Sequence, residues 1–308
     1  MRKLFLFIAV ILLAACSGSG SSDDQTPVAD SAQWHIAVLP TMDCLPLMLA
    51  QDRGFFDDEG VSVGLLMFQS QMDADTALLG GSAQAAATDL ARVMHLRQQG
   101  LHLCCVSATD AAWQLVSMRP ARISKLTQLD DKMLAMTRYS ATDLLSDLVV
   151  DSAGLKPERV FRIQVNDVNV RLGMLQSGIM DAMFLPEPLS MLARDHRAQL
   201  LYDTRRADLW LGCLAFVGDS AMKQHSDVKG ILRAYDRAVD SLNQRGLATY
   251  ADLIVSQLRL SPAAVDSLSS QPPFRHSHEP RESDVTRAAS WWDKRVASMK
   301  YVEKRYIQ

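Results

Sequence analysis

The pattern Leu78-x-x-Gly81-x-x-Gln84-Ala85 returns as Leu175-x-x-Gly178-x-x-Asp181-Ala182, 97 residues further along the chain. In both places a helical stretch precedes, the glycine falls where a left-handed C-cap is wanted, and a short apolar strand follows. One α-to-β unit therefore occurs once in each half, which predicts two lobes built alike. Around each copy, short apolar runs alternate with amphipathic stretches, as in a parallel sheet covered by helices.

In the first half, strands are expected over 35–40, 61–68 and 83–88, and helices over 45–56 and 72–79. Pro46 stands in the first turn of the 45–56 helix, where a missing N–H does no harm, and Gly54 stands near its end. In the second half, strands are expected over 132–137, 160–165 and 182–185, with helices over 142–153 and 168–176. The apolar runs 113–118 and 210–217 flank that second set and are the natural places for the chain to cross between lobes. Beyond them, 228–243 is periodic at i, i+3, i+4 through Ile231, Leu232, Tyr235, Val239 and Leu242, so helices return to the first lobe. Residues 269–283, rich in Pro, Ser and His, read as a surface loop before a last helix around Trp291 and Trp292. The expected division is 34–115 with 214–308 as one lobe and 116–213 as the other.

The N-terminus reads as an address. Arg2 and Lys3 precede an unbroken apolar run over 4–15, twelve residues where a bilayer span needs about 20, which suits the h-region of a secretory signal. The run closes on Leu13-Ala-Ala-Cys16, which resembles the bacterial lipobox, where a Cys is lipidated on its sulfur, as with palmitate, and becomes the new N-terminus. Residues 17–24 are all Ser, Gly and Asp, and 16–33 read as a flexible tether. The alternative is an uncleaved membrane anchor ending in an incidental Cys. On the lipobox reading 1–15 are a signal peptide, leaving 293 residues with a net charge of -5 in place of -3.

Export permits disulfides among Cys44, Cys104, Cys105 and Cys213, whose pairing the sequence does not give. Cys104 and Cys105 lie in the apolar run 101–106, where strand alternation points them to opposite faces, and small buried thiols are the preferred reading. No Cys-x-x-Cys occurs, so neither a zinc ribbon nor a thioredoxin-type pair is supported.

With 48% hydrophobic residues, 22% charged and a net charge of -3, the chain is excluded from the disordered class and lacks the basic surplus of a nucleic-acid binder. A mean hydropathy of -0.01 excludes a polytopic membrane protein. No Gly-x-Ser-x-Gly elbow, Walker loop, His-Glu-x-x-His or dinucleotide glycine pattern is present. His276, His278 and Glu279 sit in the Pro- and Ser-rich loop without a fourth ligand, so a solvated loop is preferred to a metal site, and neither cofactor nor metal is expected.

Candidate binding residues follow from the rule that ligands in open α/β sheets sit beyond the carboxyl ends of strands, near helix N-termini that favour anions. The first lobe offers Met42, Asp43 and Cys44, and Thr88 with Asp89. The second offers Arg138, Tyr139, Ser140 and Thr142, where Ser140 or Thr142 can cap the helix and Arg138 adds a guanidinium; a plain cap with a surface Arg is the equal alternative. Glu187, between Pro186 and Pro188, meets a ligand amine or braces its turn. Asp110 and Trp113 at the first crossing, and Trp210 at the second, offer stacking on a planar ligand or hinge packing. Cys44 near a helix N-terminus could be an activated thiol, but with no His near it in sequence packing is preferred.

The stretch Ile36-Ala-Val-Leu-Pro through Asp43-Cys-Leu-Pro-Leu-Met-Leu-Ala-Gln-Asp-Arg-Gly-Phe-Phe-Asp-Asp-Glu-Gly60 resembles the solute-binding proteins of ABC importers in the nitrate, alkanesulfonate, taurine and thiamine-precursor (NMT1/THI5-like) group. So do Leu175-Gln-Ser-Gly-Ile-Met-Asp-Ala-Met-Phe-Leu-Pro-Glu-Pro188 and Ala234-Tyr-Asp-Arg-Ala-Val-Asp-Ser-Leu-Asn243. Gln84 departs from the Asp usual in that group, while Asp181 keeps it. The resemblance implies an α/β type II periplasmic-binding-protein fold, two lobes with parallel-rich sheets joined by two crossings. It also implies a lipid-anchored, monomeric solute binder of the cell envelope that closes on a small organic solute and hands it to an ABC permease and ATPase, without catalysis. The alternatives are an enzyme of the same fold, in pyrimidine-precursor or menaquinone-type biosynthesis, and a ligand-sensing lipoprotein.

Overall fold

The computed structural model describes residues 33–268 and 271–306; the expected signal peptide and the lipobox Cys16 lie outside the described residues. Two five-stranded sheets are formed. The first uses β1 (Trp34–Val38), β2 (Val63–Met67), β3 (Ala85–Asp89), β4 (Leu103–Ala108) and β10 (Gly212–Val217), in the order β2-β1-β3-β10-β4. The second uses β5 (Trp113–Ser117), β6 (Lys132–Met136), β7 (Val160–Gln164), β8 (Ala182–Pro186) and β9 (Gln199–Asp203), in the order β7-β6-β8-β5-β9. In each, the strand arriving from the other lobe is antiparallel and the inner pairs are parallel. The two orders match position for position.

The duplicated motif has one structural job in both lobes. Gly81 and Gly178 take φ of +75° and +76°, the left-handed turn that ends a helix and turns the chain into a strand. Gln84 then accepts the N–H of His35 at the start of β1 (2.9 Å), and Asp181 accepts the N–H of Met133 at the start of β6 (2.9 Å). Each side chain supplies the acceptor that the first residues of an inner strand lack, so Gln replaces Asp without loss of the bond.

Helices cover the sheets. In the first lobe these are α1 (Leu45–Asp52), α2 (Phe55–Asp58), α3 (Gln71–Leu79) and α4 (Leu90–Gln98). The expected single helix over 45–56 is broken because Gly54 takes φ +67°. In the second lobe they are α5 (Ala141–Ser152), α6 (Val168–Gln176) and α7 (Leu189–Asp195). Then α8 (Ser226–Arg245), α9 (Ala251–Leu258) and α10 (Pro262–Ser267) return to the first lobe, and α11 (Glu282–Tyr306) closes the chain. The stripe Val228, Ile231, Tyr235, Val239 and Leu242 of α8 is buried against β1 and α1, as its periodicity requires. No helix among the described residues is long and apolar enough to cross a membrane.

The runs 113–118 and 210–217 lie differently from the sequence expectation. Trp113–Ser117 is paired on both sides within the second sheet, and Gly212–Val217 on both sides within the first. Ladder bonds on two edges hold each run inside a sheet, so the crossings fall just before them, at 109–112 and 204–211. The crossings touch: Thr109 N–H donates to the Gly212 carbonyl (3.1 Å), and Trp113 and Thr204 exchange bonds of 3.1 Å. A Cβ on Gly212 would stand 2.4 Å from the Ala111 Cβ and the Thr109 Oγ1, so only glycine permits this approach.

One apolar core fills the β1, α1 and α8 side of the first sheet. A second runs without a break from Leu78, Leu90 and Leu96 to Leu134, Leu145 and Phe184, and so joins the lobes. The last helix lies along this seam. Trp291 Nε1 donates to Asp147 of α5 (2.7 Å), Arg295 binds Asp143 and Asp147, and Trp292 meets His95 of α4 at 5.3 Å between ring centres.

Candidate functional site

The carboxyl ends of β1, β3, β6 and β8 converge on a narrow cleft between the lobes, with a cavity volume of about 60 Å3. From the first lobe come Thr41, Asp43 and Cys44 after β1, Gln71 at the start of α3, and Thr88 and Asp89 at the end of β3. From the second come Thr137, Ser140 and Thr142 at the start of α5, Asn166 and Arg171 around the start of α6, and Pro186. Trp113 stands where the first crossing enters β5 and forms part of the wall.

The polar groups are held tightly. Ser140 accepts the N–H of Thr142 (3.1 Å) as the N-cap of α5 and donates to the Thr137 carbonyl (2.7 Å), while Thr142 Oγ1 accepts the N–H of Thr137 (2.9 Å). Asp43 accepts a bond from Thr109 of the first crossing (3.1 Å), and burial pushes its carboxyl above the ordinary value, against the lowering by Thr41 and Thr109. Gln71 Nε2 donates to Thr88 Oγ1 (2.9 Å).

The cleft is closed by bonds from lobe to lobe. Asp89 Oδ1 accepts the N–H of Arg92 (2.9 Å), capping α4, and the N–H of Ala141 (2.9 Å), the first residue of α5. Arg92 Nη1 donates to the Arg138 carbonyl (3.1 Å), Met42 N–H donates to the Glu187 carbonyl (3.0 Å), and Asn169 Nδ2 donates to Gln69 (3.3 Å).

Arg171 was not a candidate from the sequence. Its side chain is buried and donates to the Val165 carbonyl (2.7 Å), the Phe184 carbonyl (3.1 Å) and Thr137 Oγ1. These partners are all uncharged, so the guanidinium brings a positive charge to the cleft wall that no carboxylate among the described residues contacts directly. Burial, with the charge of Arg92 adding to it, lowers its pKa to about 10, which leaves it protonated at neutral pH. The signal in the sequence was its position: Val168, Arg171 and Leu175 form the buried stripe of α6, and a cation on an apolar stripe needs a reason.

The other candidates are placed as follows. Met42 turns its side chain into the first-lobe core behind the cleft. Arg138 is exposed and Tyr139 points away from the cleft, because Tyr139 takes φ +60° and stacks on His95 with ring centres 4.5 Å apart. Both line an outer groove with Met136, Arg162 and Arg295. Glu187 is buried and braces its turn, accepting the N–H of Met191 (2.9 Å) and pairing with Arg194 (2.7 Å). Trp210 donates to Asp208 (2.9 Å) and carries the Arg275 guanidinium 3.9 Å over its ring, outside the cleft. Asp110 holds that same Arg275. Cys44 lines the cleft, but burial and the neighbouring Asp43 push its thiol far above the ordinary value, which makes it a poor nucleophile. His276 bonds Asp240 (2.8 Å), and no cluster of His, Cys, Asp and Glu among the described residues is arranged for a metal.

A family model described as NMT1/THI5 like matches residues 41–245. No curated protein sequence matches the chain. Among solved structures, the alkanesulfonate-binding protein SsuA from Xanthomonas axonopodis pv. citri, bound to MOPS, aligns over 90% of this chain and 94% of its own, with 19% identity and a TM-score of 0.71. A ligand-binding component of an ABC-type import system from Staphylococcus aureus aligns over 86% and 92%, with 16% identity and a TM-score of 0.70. The periplasmic nitrate-binding protein NrtA from Synechocystis PCC 6803 aligns over 81% and 74%, with 14% identity and a TM-score of 0.66. At these identities the likeness is one of fold: the α/β periplasmic-binding-protein architecture, two lobes joined by two crossings.

Proposed function

The chain belongs to the NMT1/THI5-like family, and on that footing we propose that it is the solute-binding protein of an ABC importer, capturing a small organic solute in the cleft between its lobes. The observation that carries this reading is the cleft itself, where capped polar groups from both lobes face one space and hydrogen bonds run from lobe to lobe beside it. Ligand contacts made from both sides favour closure, and the closed form is what a permease would recognise. No covalent step is needed, and the raised Cys44 thiol favours binding over nucleophilic catalysis.

The proposed contacts are Thr41, Asp43, Thr88, Ser140, Thr142 and Arg171. Arg171 and the start of α5 favour an acidic group on the solute, in keeping with the sulfonate and nitrate named for the Xanthomonas and Synechocystis proteins. We further propose export, lipid anchoring through Cys16, a monomeric state, and permease and ATPase subunits as partners.

A thermal-shift screen of sulfonates, carboxylates, pyrimidines and flavin-like compounds tests the reading. A bound compound at 100 times its Kd adds roughly 2.7 kcal/mol to stability. A rise in Tm with one class, abolished in Arg171→Met, is the expected result; no shift with any class would remove the binding reading. Mass spectrometry of the membrane fraction, with Cys16→Ser as control, tests the anchor.

A further inference from the structure

We propose that Cys105 and Cys213 form a disulfide by exchange with a small organic disulfide, Cys105 attacking and Cys213 resolving. The pair lies in the first lobe, on the face of the sheet opposite α1 and α8, with Cys213 paired across the ladder to Thr88 at the edge of the solute cleft. Cys105 is in β4 and Cys213 is the second residue of β10, the strand that enters the sheet from the second crossing. Their sulfurs are 3.7 Å apart, and both are free thiols in this structure.

The ladder explains why they meet. Cys213 pairs with Ala108, Leu214 with Ser107 and Ala215 with Cys105, so β4 carries one extra residue, Val106. Such a bulge increases the local twist and draws a diagonal pair together. Cys104, one residue away, packs into the core on the opposite face of the sheet.

The chemistry is divided between the two sulfurs. Cys105 is half-buried and borders a groove lined by Arg97, His102, Lys223 and Glu279, whereas Cys213 is fully buried. The sulfur–sulfur contact with Cys213, with Arg97 and Lys223 behind it, lowers the Cys105 thiol against the effect of burial, while Cys213 is held well above its ordinary value by Cys105 and by burial. The partly accessible thiol, in a positive setting, is the one that reacts first.

The exchange balances. The Cys105 thiolate attacks one sulfur of R–S–S–R, forms Cys105–S–S–R and releases RS⁻. Cys213 gives up its proton, its sulfur attacks Cys105 Sγ, and the second RS⁻ leaves. Two thiols are oxidised, one external disulfide is reduced to two RSH, and the chain loses two hydrogens. The new bond staples residues 108 positions apart, so it constrains the unfolded chain strongly and raises Tm.

The test uses the folded full-length chain incubated with glutathione disulfide, alkylated and digested without reduction. The expected result is a cross-linked peptide joining Cys105 to Cys213, with a rise in Tm that dithiothreitol reverses; Cys104→Ser keeps the cross-link and Cys105→Ser loses it. Recovery of Cys105 and Cys213 as alkylated thiols, arrest at a glutathione adduct on Cys105, or a cross-link through Cys104 would each overturn the proposal. The wild-type peptide map decides by itself, even where a variant fails to fold.

Discussion

Asp89, at the end of β3 in the first lobe, accepts the backbone N–H of Ala141, at the start of α5 in the second, at 2.9 Å. The same oxygen caps α4 through Arg92. One buried carboxylate therefore satisfies the free N–H groups of two helices that belong to different lobes.

Replacing Asp89 with alanine leaves both N–H groups buried without their acceptor, which costs about 1–3 kcal/mol for each. Asp89→Asn keeps an oxygen in place and is expected to lose less. Urea denaturation of the two variants measures the difference, and small-angle scattering is expected to show a wider Asp89→Ala molecule. Equal losses in both variants would mean that the carboxylate charge, and not the acceptor, holds the lobes.

Arg138 is exposed outside the cleft, and Ser140 lines it. For whichever compound gives the largest thermal shift, Arg138→Ala is expected to leave the Kd within about threefold, a difference near 0.7 kcal/mol on a scale where 1.4 kcal/mol is tenfold. Ser140→Ala loses both the cap of α5 and the hydroxyl, so its Kd is expected to rise by about tenfold. Calorimetric titration of both variants separates a surface role from a cleft role, and the opposite ranking would relocate the site to the outer groove.

Gly212→Ala places a Cβ 2.4 Å from Ala111 and Thr109 in the first crossing. The two crossings must then separate, and overpacking of this kind typically costs about 1–3 kcal/mol. A fall in Tm is expected, and an unchanged Tm would show that the crossings are looser than their hydrogen bonds indicate.

His95 is held near pKa 4, below its ordinary 6.5, by burial and then by the charge of Arg92. Tyr139 stacks on its ring, Trp292 meets its edge, and Gln99 lies 3.1 Å from its Nε2. The unfolded chain takes up the proton at the higher pH, so this contribution to stability is complete above pH 6.5 and is lost as pH falls towards 4. Stability measured against pH for wild type and His95→Phe is expected to diverge over that window, wild type losing more on acidification. Parallel curves would show that the ring is free to protonate in the folded protein.

Local chemistry in the sequence was enough for the architecture. The repeated Leu-x-x-Gly pattern marked the same helix-to-strand turn twice, and both glycines adopt the left-handed conformation that the pattern required. The period of α8 named its buried face, and Ser140 caps α5 as its residue type suggested. Placement in space was a different matter. Arg138 and Arg171 are both cations near the start of a second-lobe helix, yet the positive φ of Tyr139 is accompanied by one outside the cleft, and the packing of α6 carries the other into it. The runs at 113 and 212 read as linkers until two neighbouring strands paired with each. Periodicity tells which face of an element is buried, whereas the partner across that face is fixed by contacts between residues far apart in the chain. For that reason the sequence alone determined the two lobes, and only the tertiary structure decided that Asp89 would join them and that Arg171 would face the space between.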